Sequence, residues 1–225
     1  MTPSSPGELR RLLLERAAAL VPTLRERAAA TELARQILPE TLDDLWRLGL
    51  LRAGVPERFG GFDIPHGTMF ELAEELARGC PSTGWCYGIW TIHNWWIGHF
   101  PPQVQEEYFA NGPDVLNSSA VNAREGTAEP VPGGYRVTGH WTYSSGCDAA
   151  SWVMLGATGP SGPIWLLMPR PDYRIVDNWY VSGMRGTGSK DIEATAVFVP
   201  KYRTMDPDAA GGPDYTYEPS QHGIL

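Results

Sequence analysis

The chain has 225 residues, 42% of them hydrophobic, enough to bury a core in one large domain or two small ones. Its formal charge is -8, with acids and bases interspersed, which argues against the clustered basic face of a nucleic-acid binder. No apolar run reaches the roughly 18 residues that a membrane span needs.

The opening segment MTPSSPGELRRLLLERAAAL carries arginines and glutamates inside its apolar pattern and does not read as a signal peptide. Ser5 and Glu8 form a capping-box pattern with Pro6 at the first helical position. Leu12, Leu13, Ala17 and Leu20 then recur at helical spacing. A second helix starts after Pro39, with Leu42, Leu45, Trp46 and Leu48 on one face and Gly49 near its end. The turn-rich stretch VPERFGGFDIP follows. Helical patterns return in HGTMFELAEELARG and STGWCYGIWTIHNWWIGHF, and Pro101-Pro102 opens a short helix through Tyr108. Glu71, Glu74 and Glu75 read as a solvated helix face.

From about Asp114 the texture changes to short runs rich in Val, Tyr, Trp and Thr, punctuated by Gly and Pro. YRVTGHWTYSS, SWVMLGA, PIWLLMP and ATAVFVP are expected strands, with hairpin turns at PGGY and GPSGP. Helices followed by strands imply an α+β chain of two packed units: helices over 1–112, then an antiparallel β-barrel or sandwich over 113–205. Residues 206–225 are Gly/Pro-rich without periodicity and read as a linker. Cys80, Cys86 and Cys147 are too widely spaced for a zinc site, so no metal is expected, and they read as reduced thiols of a cytoplasmic protein.

Four segments could carry chemistry. On the fourth helix, Trp85, Ile89, Ile92 and Trp96 form one stripe, and Cys86, Trp90, His93 and Ile97 form its neighbour. That pattern predicts a deeply buried helix. His93 is then either a pocket residue that bonds a substrate hydroxyl or a core histidine satisfied by a backbone carbonyl. Asn117, Ser118 and Ser119 offer amide and hydroxyl groups that suit a planar heteroaromatic ring, or they form a polar strand face. In GHWTYSSGCDAASW, Trp141 or Tyr143 could pack on a ligand. Ser144 and Ser145 could bond a ring nitrogen, and Gly146 would allow close backbone approach. The alternative there is a tight turn. In GMRGTGSKD the order Gly-Ser-Lys and the strand-like DIEATAVFVP that follows exclude a nucleotide-triphosphate loop. Thr187 and Ser189 remain candidate ligand contacts. The richness in Trp and Tyr, nine of each, points to a pocket or interface built on large aromatic surfaces.

These segments in this order, VPERFGG, ELARGCPSTGW, GGYRVTGHWTYSSGCDAASWVMLGA and GMRGTGSKDIEATAVFVP, resemble the acyl-CoA dehydrogenase superfamily over about residues 8 to 205. ELARGCPSTGW and the W-T-Y-S-S-G-C run look more like its two-component flavin monooxygenases, such as the oxygenase of 4-hydroxyphenylacetate hydroxylase or dibenzothiophene monooxygenase. The resemblance implies a helical domain, a middle β-barrel and a C-terminal four-helix bundle; the sequence stops at Leu225 where that bundle should begin, so the chain is expected to be a fragment or a truncated or natural short form, or to take the bundle from a partner chain. It implies reduced FMN or FAD from a separate flavin reductase, and oxygenation of an aromatic or polycyclic small molecule. It places Ser144 first, with Ser145 and Gly146, at the flavin N5 contact. Asn117, Ser118 and Ser119 run along the ring with Trp141 nearby, and Thr187 and Ser189 lie at the other edge. His93 takes a catalytic or substrate position beside Trp90 and Asn94. A homo-oligomer, or a partner chain supplying the bundle, is expected, with no nucleic acid and no membrane. The alternatives are an acyl-CoA dehydrogenase oxidising an acyl thioester with FAD, or a cofactor-free subunit that keeps the pocket.

Overall fold

The structure, a computed structural model, describes residues 5–206. Five helices come first: α1 Pro6–Ala34, α2 Pro39–Arg47, α3 His66–Ala77, α4 Pro81–Ile97 and α5 Pro102–Tyr108. Eight strands follow: β1 Asn117–Ala120, β2 Gly126–Val131, β3 Gly134–Ser144, β4 Trp152–Gly159, β5 Gly162–Pro169, β6 Arg174–Val176, β7 Lys190–Pro200 and β8 Thr204–Met205. The linker expected over 206–225 lies outside the described residues except for Asp206.

The helix starts follow from capping chemistry. Extended Ser5 accepts the Glu8 N–H at 3.3 Å, as a capping box requires, and Pro6 has no N–H to lose. α1 stops where Arg35 turns left-handed and returns its N–H to Thr31 O. Leu13, Ala17, Leu20 and Leu24 make its buried stripe. In α4 only one of the two expected stripes is fully inside. Cys86, Trp90, His93 and Ile97 are buried, but Trp85 is 53% exposed and turns its indole N–H to Ser145. A Trp can leave its ring partly in water when its single donor has a partner.

The strand half is one eight-stranded sheet in the order β6-β7-β3-β2-β4-β5-β8, with β1 added beside β4. The expected antiparallel barrel needs correction on two counts. β1 runs parallel to β4 (Asn117↔Trp152 to Ala120↔Leu155), and β2 meets β4 in a parallel bridge, so the sheet is mixed. Its end strands β6 and β8 do not pair, so it stays open. β1 enters straight from the helical half rather than by a hairpin, so nothing forces it antiparallel. The hairpin turns at Pro132-Gly133 and Pro160-Ser161 are where the sequence predicts them. β2, β6 and β8 have no counterpart among the expected strands. They are short or contain Pro130, which weakens a strand pattern.

Three apolar cores result. The first fills the helical half around Leu13, Leu45, Leu72, Tyr87 and Trp90. The second lies on the inner sheet face around Val137, Trp141, Leu155 and Ile192. The third joins the halves, packing Ile97, Phe100 and Tyr108 against Met154, Leu167 and Met205. Ion pairs flank that junction: Arg35 grips Asp177 with two bonds of 2.5 and 2.7 Å, and Arg203 grips Glu107. Cys80, Cys86 and Cys147 are free and buried. Among the described residues no helix is long and apolar enough to cross a membrane, and no His/Cys/Asp/Glu cluster is placed to hold a metal ion.

Candidate functional site

The hydroxyl-rich segments converge where α4, β1, the end of β3 and the Gly-rich loop before β7 meet. β1 lies against both α4 and β3. Ser144 pairs with Lys190, and the Gly146 N–H donates to Thr187 O at 2.8 Å, so the 144–146 and 187–190 segments are neighbours.

The hydroxyls divide into two groups. Trp85 donates its N–H to Ser145 Oγ at 3.0 Å. Ser145 and Ser189 are 2.8 Å apart, Ser189 and Thr187 are 2.7 Å apart, and Thr187 donates to Met184 O at 2.9 Å. A hydroxyl has one proton and a carbonyl only accepts, so the direction is set. Ser145 donates to Ser189, Ser189 to Thr187, and Thr187 to Met184. All three side chains sent toward a ligand by sequence are thus spent on one another, and they strap α4 and β3 to the Gly-rich loop.

The second group has no partner. Both amide atoms of Asn117, the Ser118 hydroxyl and the Ser144 hydroxyl are buried without a hydrogen bond. Asn117, Ser118 and Ser144 have no exposed surface. Buried polar groups are nearly always paired, so three such residues on two adjoining strands are a deviation that calls for a ligand or water.

His93 is buried, and its Nδ1 lies 2.9 Å from Asn117 O. A carbonyl cannot donate, so Nδ1 carries the proton and Nε2 the lone pair. Burial lowers the His93 pKa to about 4, although the Asn117 carbonyl opposes the shift, so the ring is neutral at pH 7. One nitrogen is thus satisfied by a backbone carbonyl, as the core-histidine alternative expects, and the other keeps its lone pair. Trp90 is different. It is fully buried and gives its N–H to Gly146 O at 3.3 Å. Asn94 donates to Val115 O and accepts from the Tyr108 hydroxyl, so both ends of its amide are engaged. Trp90 and Asn94 act in packing the helical half against the sheet rather than as groups facing a substrate. Trp141 is likewise fully buried, with its N–H on Gly156 O at 2.6 Å.

A cleft of about 370 Å³ is lined by Ser119, Ala120, Val121, Asn122, Glu125, Thr142 and Tyr143; Ser119 and Tyr143 adjoin Ser118 and Ser144 in sequence, but the unpartnered three are not themselves in the lining. That volume lies in the range of small-molecule sites. Of the residues singled out by sequence for a ligand, only Ser119 and Tyr143 are in this lining. Val121, Asn122, Glu125 and Thr142 were not anticipated. They have no motif, and their convergence depends on a one-turn helix at Ala123–Glu125 that folds β1 back toward β3.

The Gly-rich loop is not an anion cradle. Its Arg185 and Gly186 N–H groups donate to the Glu32 carboxylate at 2.8 and 3.0 Å, and Ser82 adds a third bond at 2.5 Å. Burial pushes the Glu32 carboxyl up, but these donors more than offset it and hold the group below the usual carboxylate range. An acid of the chain itself takes up the loop's free N–H groups.

Residues 8–112 match the family described as Acyl-CoA dehydrogenase, N-terminal domain. The chain is similar to the acyl-CoA dehydrogenase superfamily in sequence over its helical half and in fold over most of its length. The relatives it resembles include oxygenase components of flavin-dependent monooxygenases. It is 41% identical over 197 residues to the flavin-dependent monooxygenase oxygenase subunit HsaA of Rhodococcus jostii, covering 85% of this chain and 51% of that protein. It is 35% identical over 207 residues to the FADH(2)-dependent resorcinol hydroxylase oxygenase component of a Rhizobium species, covering 89% and 50%. The solved structure of XiaF from a Streptomyces species, in complex with FADH2 and glycerol, superposes with a TM-score of 0.84 at 31% identity, over 90% of this chain and 52% of that one. The chain spans about half the length of the curated relatives it matches.

Proposed function

We propose that this chain forms one wall of a reduced-flavin site in a monooxygenase that uses O2 to oxygenate an aromatic small molecule. The observation that carries the reading is the unpartnered trio of Asn117, Ser118 and Ser144, adjoining in sequence two residues that line a cleft. A flavin ring presents acceptors and an N–H along its polar edge, and an amide with two hydroxyls can match either. Ser144, Asn117 and Ser118 would hold that edge, and Ser119, Thr142 and Tyr143 would line its approach. The bound flavin supplies the electron transfer and O2 activation. The chain supplies a dry, apolar surround from Trp141, Trp90 and the third core, which limits side reaction with water. Neutral His93 offers Nε2 as an acceptor for a substrate hydroxyl. The kinship with FADH2-dependent and aromatic-hydroxylating proteins supports both the cofactor and the substrate class. A separate reductase would deliver the reduced flavin, and self-association is expected, to be read by sedimentation.

The test is anaerobic binding of reduced FMN and of reduced FAD to the full chain and to Ser144→Ala, with an acyl-CoA thioester as a third ligand. Flavin binding that weakens in the variant supports the reading. No flavin affinity at high micromolar protein would overturn it, and thioester binding in place of flavin would favour a dehydrogenase.

A further inference from the structure

The ladder between β2 and β3 ends at Gly126↔Gly139, yet β3 continues to Ser144. The edge left open is not bare. The Glu125 carboxylate accepts the Thr142 N–H with one oxygen and the Thr142 hydroxyl with the other, each at 2.9 Å. A side chain thus does the work of a neighbouring strand. The approach depends on Gly139, where a Cβ would stand 2.7 Å from Glu125 O.

What the clamp holds is irregular. β3 and β7 slip register between Trp141↔Ile192 and Ser144↔Lys190, so two residues, Thr142 and Tyr143, oppose Asp191 alone. This is a β-bulge, and Tyr143 takes a left-handed φ of 65°, which a non-glycine residue adopts only when its surroundings impose it. The bulge changes which side chains face inward. Strict alternation from buried Val137 and Trp141 would send Tyr143 inward and Ser144 outward. Instead Tyr143 is 68% exposed at the cleft lip and Ser144 is fully buried.

We propose that Glu125 is the positioning residue of this site, acting through Thr142 to hold the bulge that turns the Ser144 hydroxyl inward and Tyr143 out to the lip. The consequence for ligand binding rests on the flavin reading above. The bulge itself does not.

The experiment has two readouts on the full chain, made for Glu125→Ala, Glu125→Gln, Ser144→Ala and the Glu125→Ala/Ser144→Ala double variant. The first is amide hydrogen exchange over 140–146 without flavin. Glu125→Ala is expected to speed exchange there roughly tenfold with little change in the α1–α4 core, as loss of a buried-edge hydrogen bond predicts. Glu125→Gln keeps a carbonyl oxygen for the Thr142 N–H and is expected to restore most of the protection. Unchanged exchange in Glu125→Ala overturns the clamp. The second readout is affinity for reduced FMN. If Glu125 acts through Ser144, each single variant weakens binding about tenfold and the double variant weakens it no further. Additive losses, or full affinity in Glu125→Ala beside a loss in Ser144→Ala, overturn the positioning role. If the parent chain binds no flavin, the cofactor reading fails and the exchange measurement alone decides the clamp.

Discussion

The hydroxyls of Ser145 and Ser189 lie 2.8 Å apart, in the middle of a one-way chain of hydrogen bonds that starts at the Trp85 indole and ends at Met184 O. The hydroxyl of the adjacent residue Ser144 has no hydrogen-bond partner. Two consecutive serines of identical chemistry therefore have opposite energetic standing.

That contrast predicts opposite outcomes for two alanine variants. Ser189→Ala breaks the relay, taking the acceptor from the buried Ser145 hydroxyl and the donor from that of Thr187, so it should destabilise the fold by about 1–3 kcal/mol. Ser144→Ala removes a buried hydroxyl that bonds nothing and should be neutral or slightly stabilising. Thermal melting of the two proteins checks this; equal losses would remove the distinction between strap and site.

Glu32 ties α1 to the Gly-rich loop through Arg185, Gly186 and Ser82. Glu32→Ala strands two backbone donors and a hydroxyl, and it should cost about 2–3 kcal/mol. Its pKa is lowered, so the stabilisation is complete above the unfolded carboxylate value and fades as pH falls through the folded one. Denaturant titration of Glu32→Ala near neutral pH should show the full loss, and an unchanged midpoint would contradict this role.

His93 makes the fold acid-sensitive. Its pKa falls from the ordinary 6.5 to about 4 by burial, so the unfolded chain binds a proton that the folded chain refuses. Stability from this group is present above pH 6.5 and drains away as pH falls toward 4, on the order of 3 kcal/mol in all. His93→Gln should flatten that part of the stability–pH curve. A curve of unchanged slope would show that His93 is not its source.

His140 acts in the reverse sense. Its Nε2 meets Asp191 at 2.6 Å and its Nδ1 meets Glu193 at 3.0 Å, and the Asp191 bond raises its pKa. A raised pKa gives stability that is present below the unfolded value and lost as pH climbs through the folded one. His140→Gln should therefore lower the melting temperature at pH 5–6 more than at pH 8. The half-exposed side chain keeps the effect small.

Gly146 has a left-handed φ of 70°, and a Cβ there would stand 2.6 Å from Trp90 Nε1. The close approach that sequence assigned to a ligand is made by an indole of the chain itself. Gly146→Ala should cost roughly 3 kcal/mol from strain and overpacking together, measured by chemical denaturation.

Much of the architecture was legible from local pattern. Ser5-Pro6, Pro39 and Pro101-Pro102 mark helix starts, and the Gly/Pro turns at 132–133 and 160–161 mark hairpins, because caps and turns depend on neighbours a few residues away. The order of hydroxyl-bearing segments was legible for the same reason. Less so was the sheet, because parallel pairing of β1 with β4 and the open edge are settled by partners distant in sequence.

The amino-acid order by itself determined which segments are helix or strand and which carry polar groups able to meet a ring. Only the tertiary structure decided which of those groups are free to do so. Trp85 reaches Ser145 from 60 residues away, and Glu32 reaches the Gly-rich loop from more than 150. A one-residue bulge turns Ser144 inward. Long-range hydrogen bonds and a slip of register leave no local trace, because neither depends on the propensity of the residues it engages.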